Sequence, residues 1–237
     1  MTQPASLASY QILGELGRGT TGIIYQARHP IKPDRLMALK TPRFLPNSEN
    51  SAERWRPTCF RHEGQLLALL TREPDPHFTT LYNIVAGFGL PEHPLGFYAR
   101  EYVDGSTLEQ IATAGSLTLR TGISIVATVA KAVSLVHAQG LAHRNLHASN
   151  VLVPASGMPK LIGLGLVWFL EGSKLLPTGT PGVPAEVDVR ALLHMLDWLC
   201  TNLRQPIPAP LHTMYHPASI PSLDRFADML NNYLQIG

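Results

Sequence analysis

His143-Arg144-Asn145-Leu146-His147-Ala148-Ser149-Asn150 is the stretch on which the fold of this chain is read. It offers an arginine, imidazoles and carboxamides but no carboxylate, and the amide of Asn145, unlike a carboxylate, cannot take a proton. Upstream, Ile123, Val126, Ala130, Val133 and Val136 recur at three- and four-residue steps within Leu119 to Gln139, which predicts a long helix with one apolar face, ended by Gly140. Downstream, Val151 to Pro154 and Pro159 to Ile162 predict a short hairpin, and Gly163-Leu164-Gly165 follows it.

Working outward toward the N-terminus, Tyr10 to Gly17 and Ile23 to Arg28 alternate around a glycine turn, and Arg35 to Lys40 adds a third apolar strand. Ala52 to Leu70 reads as a helix with Leu66, Leu67, Leu69 and Leu70 toward a core and Glu63 on an adjacent face. Leu81 to Gly87 and Gly96 to Tyr102 are two further strands, separated by a loop that contains Pro91 and Pro94. Asp104-Gly105-Ser106 reads as a hinge or helix start. Beyond the motif, Val187 to Cys200 predicts a buried helix, Ser222 to Leu234 a final helix capped by Ser222, and Gln205 to Pro221 a long irregular connection.

Composition bounds the class. With 237 residues and 45% hydrophobic content, the chain can bury a sizeable core as one domain or two lobes. Charged residues are 15%, against a usual share of about 25%, and that favours a face buried against a partner. The net charge of +2, with no basic run interleaved with aromatics, argues against nucleic acid. Cys59 and Cys200 are isolated, which fits buried thiols in a reducing, cytoplasmic compartment. Met1 to Tyr10 has no signal-peptide pattern. Leu161 to Leu170 is about half the length that crosses a bilayer, and Lys131 interrupts Ile123 to Val136, so no membrane segment is expected.

The order of these pieces, from Tyr10 to Leu234, resembles a bilobal protein kinase of the serine/threonine type, in a degenerate form similar to a pseudokinase. Gly17-Arg18-Gly19-Thr20-Thr21-Gly22-Ile23-Ile24 resembles the glycine loop over nucleotide phosphates, although a plain hairpin turn has the same pattern. Met37-Ala38-Leu39-Lys40 is similar to the strand that carries the phosphate-binding lysine, and Glu63 falls where the family places its partner. Taken singly, an exposed Lys40 and a solvated Glu63 would be the plain alternatives. Phe97 to Gly105 looks like the strand and hinge between lobes. By resemblance, backbone groups of Glu101 and Val103 would meet adenine, and Ile24, Ala38 and Leu152 would sandwich it. Leu67, His143 and Leu164 match the packed column behind the site, and Asp188 matches the aspartate that anchors the His-Arg turn.

The resemblance implies an α+β fold: a five-stranded antiparallel N-lobe sheet plus one helix (10–101) and a reduced, mainly helical C-lobe (102–237), with 1–9 as an N-terminal extension. It also exposes departures. Asn145 replaces the catalytic base, His147 the lysine that steadies the transferring phosphate, and Gly163 the magnesium-holding aspartate, while Asn150 alone survives as a metal-ligand position. Arg100 takes the gatekeeper place, from which it can reach Glu63 and displace Lys40, block the adenine pocket, or snorkel to water. Gly179 to Glu186 runs almost directly into Asp188, leaving little platform for a peptide substrate.

These departures imply no catalytic residue and no metal, weak magnesium-independent ATP or ADP binding at most, and a regulatory or protein-interaction role beside another protein such as an active kinase or signalling component. Two alternatives stand beside that reading. One is an atypical phosphotransferase that reuses the cleft, with His147 as a substitute base in place of a plain loop histidine. The other is a structural module closed by Arg100. His212 and His216 read as a surface pair, not a metal site.

Overall fold

The computed structural model describes residues 6–19, 22–42, 60, 63–65, 67–68, 70, 76–79, 81–85, 96–155, 157–164, 168–172, 174, 181–215 and 220–236. The chain divides into two compact units, Met1–Val103 and Asp104–Gly237.

The first unit is built on one antiparallel sheet. Its strands are β1 (Ser6–Leu7), β2 (Tyr10–Arg18), β3 (Gly22–Arg28), β4 (Leu36–Pro42), β5 (Leu81–Val85) and β6 (Phe97–Glu101), in the spatial order β1-β2-β3-β4-β6-β5. The five expected strands are all present. The sixth, β1, lies within the stretch expected as an extension, and pairs Leu7 with Tyr10 and Ser6 with Gln11. Two residues are too few to show a period, so sequence patterning has no purchase on it.

Alternation assigns the two faces of the sheet. Tyr10, Ile12, Tyr25, Ala27, Met37, Leu39, Phe97 and Ala99 share one hydrophobic cluster. Ala38, Lys40, Tyr98 and Arg100, one residue out of phase on β4 and β6, therefore point to the opposite face, and all are buried. The described residues of the helix expected over Ala52 to Leu70, namely Phe60, Glu63 to Gln65, Leu67, Ala68 and Leu70, are helical. Phe60 stacks on Tyr98 with ring centroids 5.3 Å apart, which ties this helix to the polar-bearing face. Leu66 and Leu69 lie outside the described residues.

The second unit opens with β7 (Gly105–Thr107), where a hinge or helix start was expected. It pairs with β9 (Val151–Pro154), which in turn pairs with β10 (Lys160–Leu161). Gly105 permits this, because a Cβ there would lie 2.4 Å from the Val153 carbonyl oxygen. Thr107 then caps α1 (Leu108–Thr113) in a reciprocal box with Gln110. The long helix is α2 (Leu119–Ala138), and Ile123, Val126, Ala130, Val133 and Val136 are all buried as the period predicts. It meets α3 (Glu186–Asn202) closely at Gly122, where an added Cβ would lie 2.4 Å from Leu199 Cδ2.

Between them lie β8 (Leu141–Ala142), which follows Gly140 at φ +72°, and β11 (Trp168–Phe169), its antiparallel partner. The chain closes with α4 (Leu223–Ile236), whose Arg225 amide donates to Ser222 Oγ at 3.3 Å as the cap predicts. Gln205 to Pro221 is not wholly irregular. Ala209–Tyr215 is a 3₁₀ helix that buries Leu211 and Met214, a short tight-pitched element that the flanking prolines hide from helical patterning.

Among the described residues, α2 is also the one helix long and apolar enough to cross a membrane, and more than half of its apolar stretch packs inside the domain. Cys200 is buried and unbridged, and Cys59 lies outside the described residues.

Candidate functional site

In the first unit, three ionisable side chains meet on the inner face of the sheet. Lys40 on β4 is 6% exposed and Glu63 on the helix 3% exposed, and Lys40 Nζ donates to Glu63 Oε2. The plain alternatives, a solvated lysine and a solvated glutamate, do not describe this arrangement. Burial pushes the Glu63 carboxyl upward, but the Lys40 charge and hydrogen bond, with the Arg100 charge behind them, hold it below its ordinary value.

Arg100 neither displaces Lys40 nor snorkels. It is 6% exposed, and its Nη1 donates to Thr79 Oγ1 at 3.2 Å, while its Nε is buried without a hydrogen-bond acceptor among the described residues. The result is a buried carboxylate bonded to Lys40 and acted on by the charge of Arg100 as well. Beside them, burial and the Glu63 charge push the Tyr98 phenol well above its usual range, so it is neutral at physiological pH.

The glycine turn joins β2 to β3, and Gly19 N donates to Gly22 O at 2.9 Å. Gly22 is demanded by packing, because a Cβ there would lie 2.2 Å from the Thr41 carbonyl oxygen. Among the described residues, nothing lies within 4 Å of that position at Gly17 and the nearest atom at Gly19 is 3.9 Å away, so their packing does not account for those two glycines. Thr20 and Thr21 lie outside the described residues. Ile24 is half-buried, Ala38 buried, and Glu101 and Val103 half-buried at the end of the unit.

In the second unit, Asp188 organises the His143–Asn150 turn. Fully buried in the first turn of α3, it accepts from the His143 amide at 2.7 Å, the Arg144 amide at 2.8 Å and His137 Nε2 at 2.8 Å. Burial raises its pKa, and those bonds, His137 first, outweigh burial and hold it below its ordinary value. They also fix Arg144 at φ +62°, a conformation uncommon for a non-glycine residue. His137 is a partner the sequence reading missed; its signal is a lone histidine in the last turn of an otherwise apolar helix face.

The rest of the turn is a set of neutral contacts. Asn145 Nδ2 donates to the Gly163 carbonyl at 3.0 Å, and Asn150 Nδ2 donates to the Asn145 carbonyl at 2.8 Å. Asn150 Nδ2 also meets His147 Nε2 at 2.8 Å, and His147 Nδ1 meets Ser149 Oγ at 2.6 Å. An amide nitrogen only donates, so His147 Nε2 is the acceptor and the ring proton sits on Nδ1. Burial lowers the His147 pKa against the raising effect of Glu109, which agrees with a neutral ring. The lone pair that a substitute base would need is thus already engaged by Asn150.

His143 and Leu164 are buried in this unit, as Leu67 is in the other, and Leu152 is half-buried on β9. Gly165 lies outside the described residues. No cluster of three or more His, Cys, Asp or Glu capable of holding a metal ion occurs among the described residues. His212 Nε2 meets the Ile207 carbonyl at 2.8 Å, and His216 is outside them.

Residues 10–182 match the model of the protein kinase domain. The chain belongs to the protein kinase family. This kinase domain is 30% identical over 174 residues to a probable serine/threonine-protein kinase PknB of Lactococcus lactis, an alignment covering 72% of this chain and 26% of that one. It is 31% identical over 180 residues to the serine/threonine-protein kinase PknD of Mycobacterium tuberculosis, covering 72% and 24%. With the serine/threonine-protein kinase PknB of the same species it shares 30% over 186 residues, covering 77% and 28%. The kinase domain thus spans about a quarter of the length of the curated relatives it matches.

Proposed function

We propose that this kinase domain is a pseudokinase, a regulatory or protein-interaction module that does not transfer phosphate. The observation that carries the reading is the Asn145 side chain: at the position of the catalytic base it donates a hydrogen bond to Gly163 and has no site to accept a proton. Magnesium, which the family implies, does not fit the residues present. Asn145, His147, Ser149, Asn150 and Gly163 supply no carboxylate, and the Asn150 amide oxygen is a neutral ligand that cannot by itself balance the charge of the ion. Loss of a general base alone lowers rates about 10²- to 10⁴-fold, and loss of the metal removes the larger electrostatic share. A partner protein, such as an active kinase or signalling component, is the ligand class this reading implies, in a cytoplasmic setting.

Nucleotide has a place in this reading as a weak, metal-independent ligand, because Gly17 and Gly19 have no packing reason to be glycine among the described residues, and Lys40 on β4 pairs with Ile24 on β3, the strand that leaves the glycine turn. The deciding experiment is transfer of labelled phosphate from ATP to the chain itself or to a general protein substrate, with magnesium or manganese. Transfer that disappears in Lys40→Ala would overturn the proposal. The formed Lys40–Glu63 pair favours a second reading, an atypical phosphotransferase, which predicts labelling that His147→Ala abolishes.

A further inference from the structure

The replacements at Asn145, His147 and Gly163 are linked by geometry. Hydrogen bonds of 2.6 to 3.0 Å run from Ser149 Oγ through His147 and Asn150 to the Asn145 backbone carbonyl, and the Asn145 side chain continues them to the Gly163 carbonyl, connecting five residues without a formal charge. The direction of each link is set. Both Asn150 Nδ2 hydrogens are spent, on Asn145 O and on His147 Nε2, and the Asn145 Nδ2 group must be the donor because its acceptor is a backbone carbonyl.

Gly163 closes the chain at φ +82°. A Cβ there would lie 2.4 Å from Asn150 Nδ2, 2.5 Å from its Cγ and 2.7 Å from its Oδ1. Any side chain at 163 therefore displaces Asn150 and meets a backbone conformation that L-residues rarely adopt. At 145 the constraint is chemical: an ionised aspartate has no hydrogen to donate and would set its charge against the Gly163 carbonyl oxygen.

We propose that Asn145, His147, Asn150 and Gly163 form an interdependent clasp that holds the His143–Asn150 turn to the Gly163 turn without a cation. Restoring the family's carboxylates then weakens the domain and does not revive a metal site. The proposal rests on the metal-free reading of the function. It makes Asn145 a positioning residue whose role is donation, not a vestige of the lost base.

Thermal unfolding of the full chain tests it, with ATP present throughout, in EDTA and in magnesium. The variants are Asn145→Ala, Asn145→Asp, Gly163→Asp and the Asn145→Asp/Gly163→Asp pair. Asn145→Ala loses one donor and should lower Tm by about 2–4 °C. Asn145→Asp adds repulsion and should fall further, an order that mere loss of packing would not produce. The paired variant should be less stable than wild type in EDTA and gain nothing from magnesium. Asn145→Asp as stable as wild type, or a paired variant restored by magnesium, would overturn the clasp while leaving the inactive-kinase reading intact. A magnesium-dependent shift in the wild-type chain would sink both. If Gly163→Asp does not fold, the ranking of Asn145, Ala and Asp decides alone.

Discussion

Asp188 Oδ2 and His137 Nε2, 51 residues apart in sequence, are 2.8 Å apart inside the second unit. Through that carboxylate, the first turn of α3, the last turn of α2 and the His143–Arg144 backbone are joined at one buried point. A charged acceptor with three donors is worth more than its members singly, since removing it orphans two backbone amides away from water.

Replacing Asp188 with alanine should therefore cost on the order of 3–5 kcal/mol, and His137→Ala about 1 kcal/mol. The pH dependence follows from the depressed folded-state pKa of Asp188. Its contribution is complete above the unfolded value of about 3.9 and is lost as pH falls through the lower folded value, because the unfolded chain then binds the proton first. Urea unfolding between pH 7 and pH 3 should show a steep acid decline that Asp188→Asn flattens. An unchanged slope would remove Asp188 from the account.

Two cations around Glu63 make the buried cluster asymmetric. Lys40→Met leaves Glu63 with the Arg100 charge acting on it, whereas Glu63→Leu removes the carboxylate on which both the Lys40 and Arg100 charges act. Breaking a buried pair typically costs about 3–5 kcal/mol. Denaturant unfolding should place Glu63→Leu in that range and Lys40→Met below it. Equal costs would mean that Arg100 does not act on Glu63.

Arg100→Met should relieve the same crowding. In an Arg100→Met background, the cost of Glu63→Leu should fall, a coupling that a double-mutant cycle reads directly. If Arg100 also obstructs adenine, this variant should show a larger ADP-induced thermal shift than wild type without magnesium, since a ligand of the folded state raises Tm. An unchanged shift would count against obstruction.

The glycine turn separates packing from binding. Gly22→Ala must move the Thr41 backbone and should cost about 1–3 kcal/mol, while Gly17→Ala meets open space and should change stability little. Any drop in nucleotide affinity caused by Gly17→Ala, at unchanged Tm, would mark that glycine as a ligand contact.

Much of the fold was legible because its signals are local. The step pattern of α2, the alternation of β2, β3 and β4, the hairpin of β9 and β10 and the Ser222 cap each lie within one element, where backbone geometry alone dictates which residues share a face. β1, β7 and the Ala209–Tyr215 turn were missed because short elements carry no period, and they exist only where a neighbouring strand or core accepts them.

The sequence by itself determined the family, the order of the longer elements and that positions 145 and 163 carry no carboxylate, since residue identity and spacing are sufficient for those. Tertiary structure decided what the replacements do. That Asn145 donates to Gly163, that His147 is engaged by Asn150, and that Lys40 keeps Glu63 while Arg100 turns to Thr79 depend on chain segments 18, 3, 23 and 21 residues apart being brought within hydrogen-bonding distance. Hydrogen bonds are short-ranged and directional, so a side chain's role is set by the partner that packing delivers.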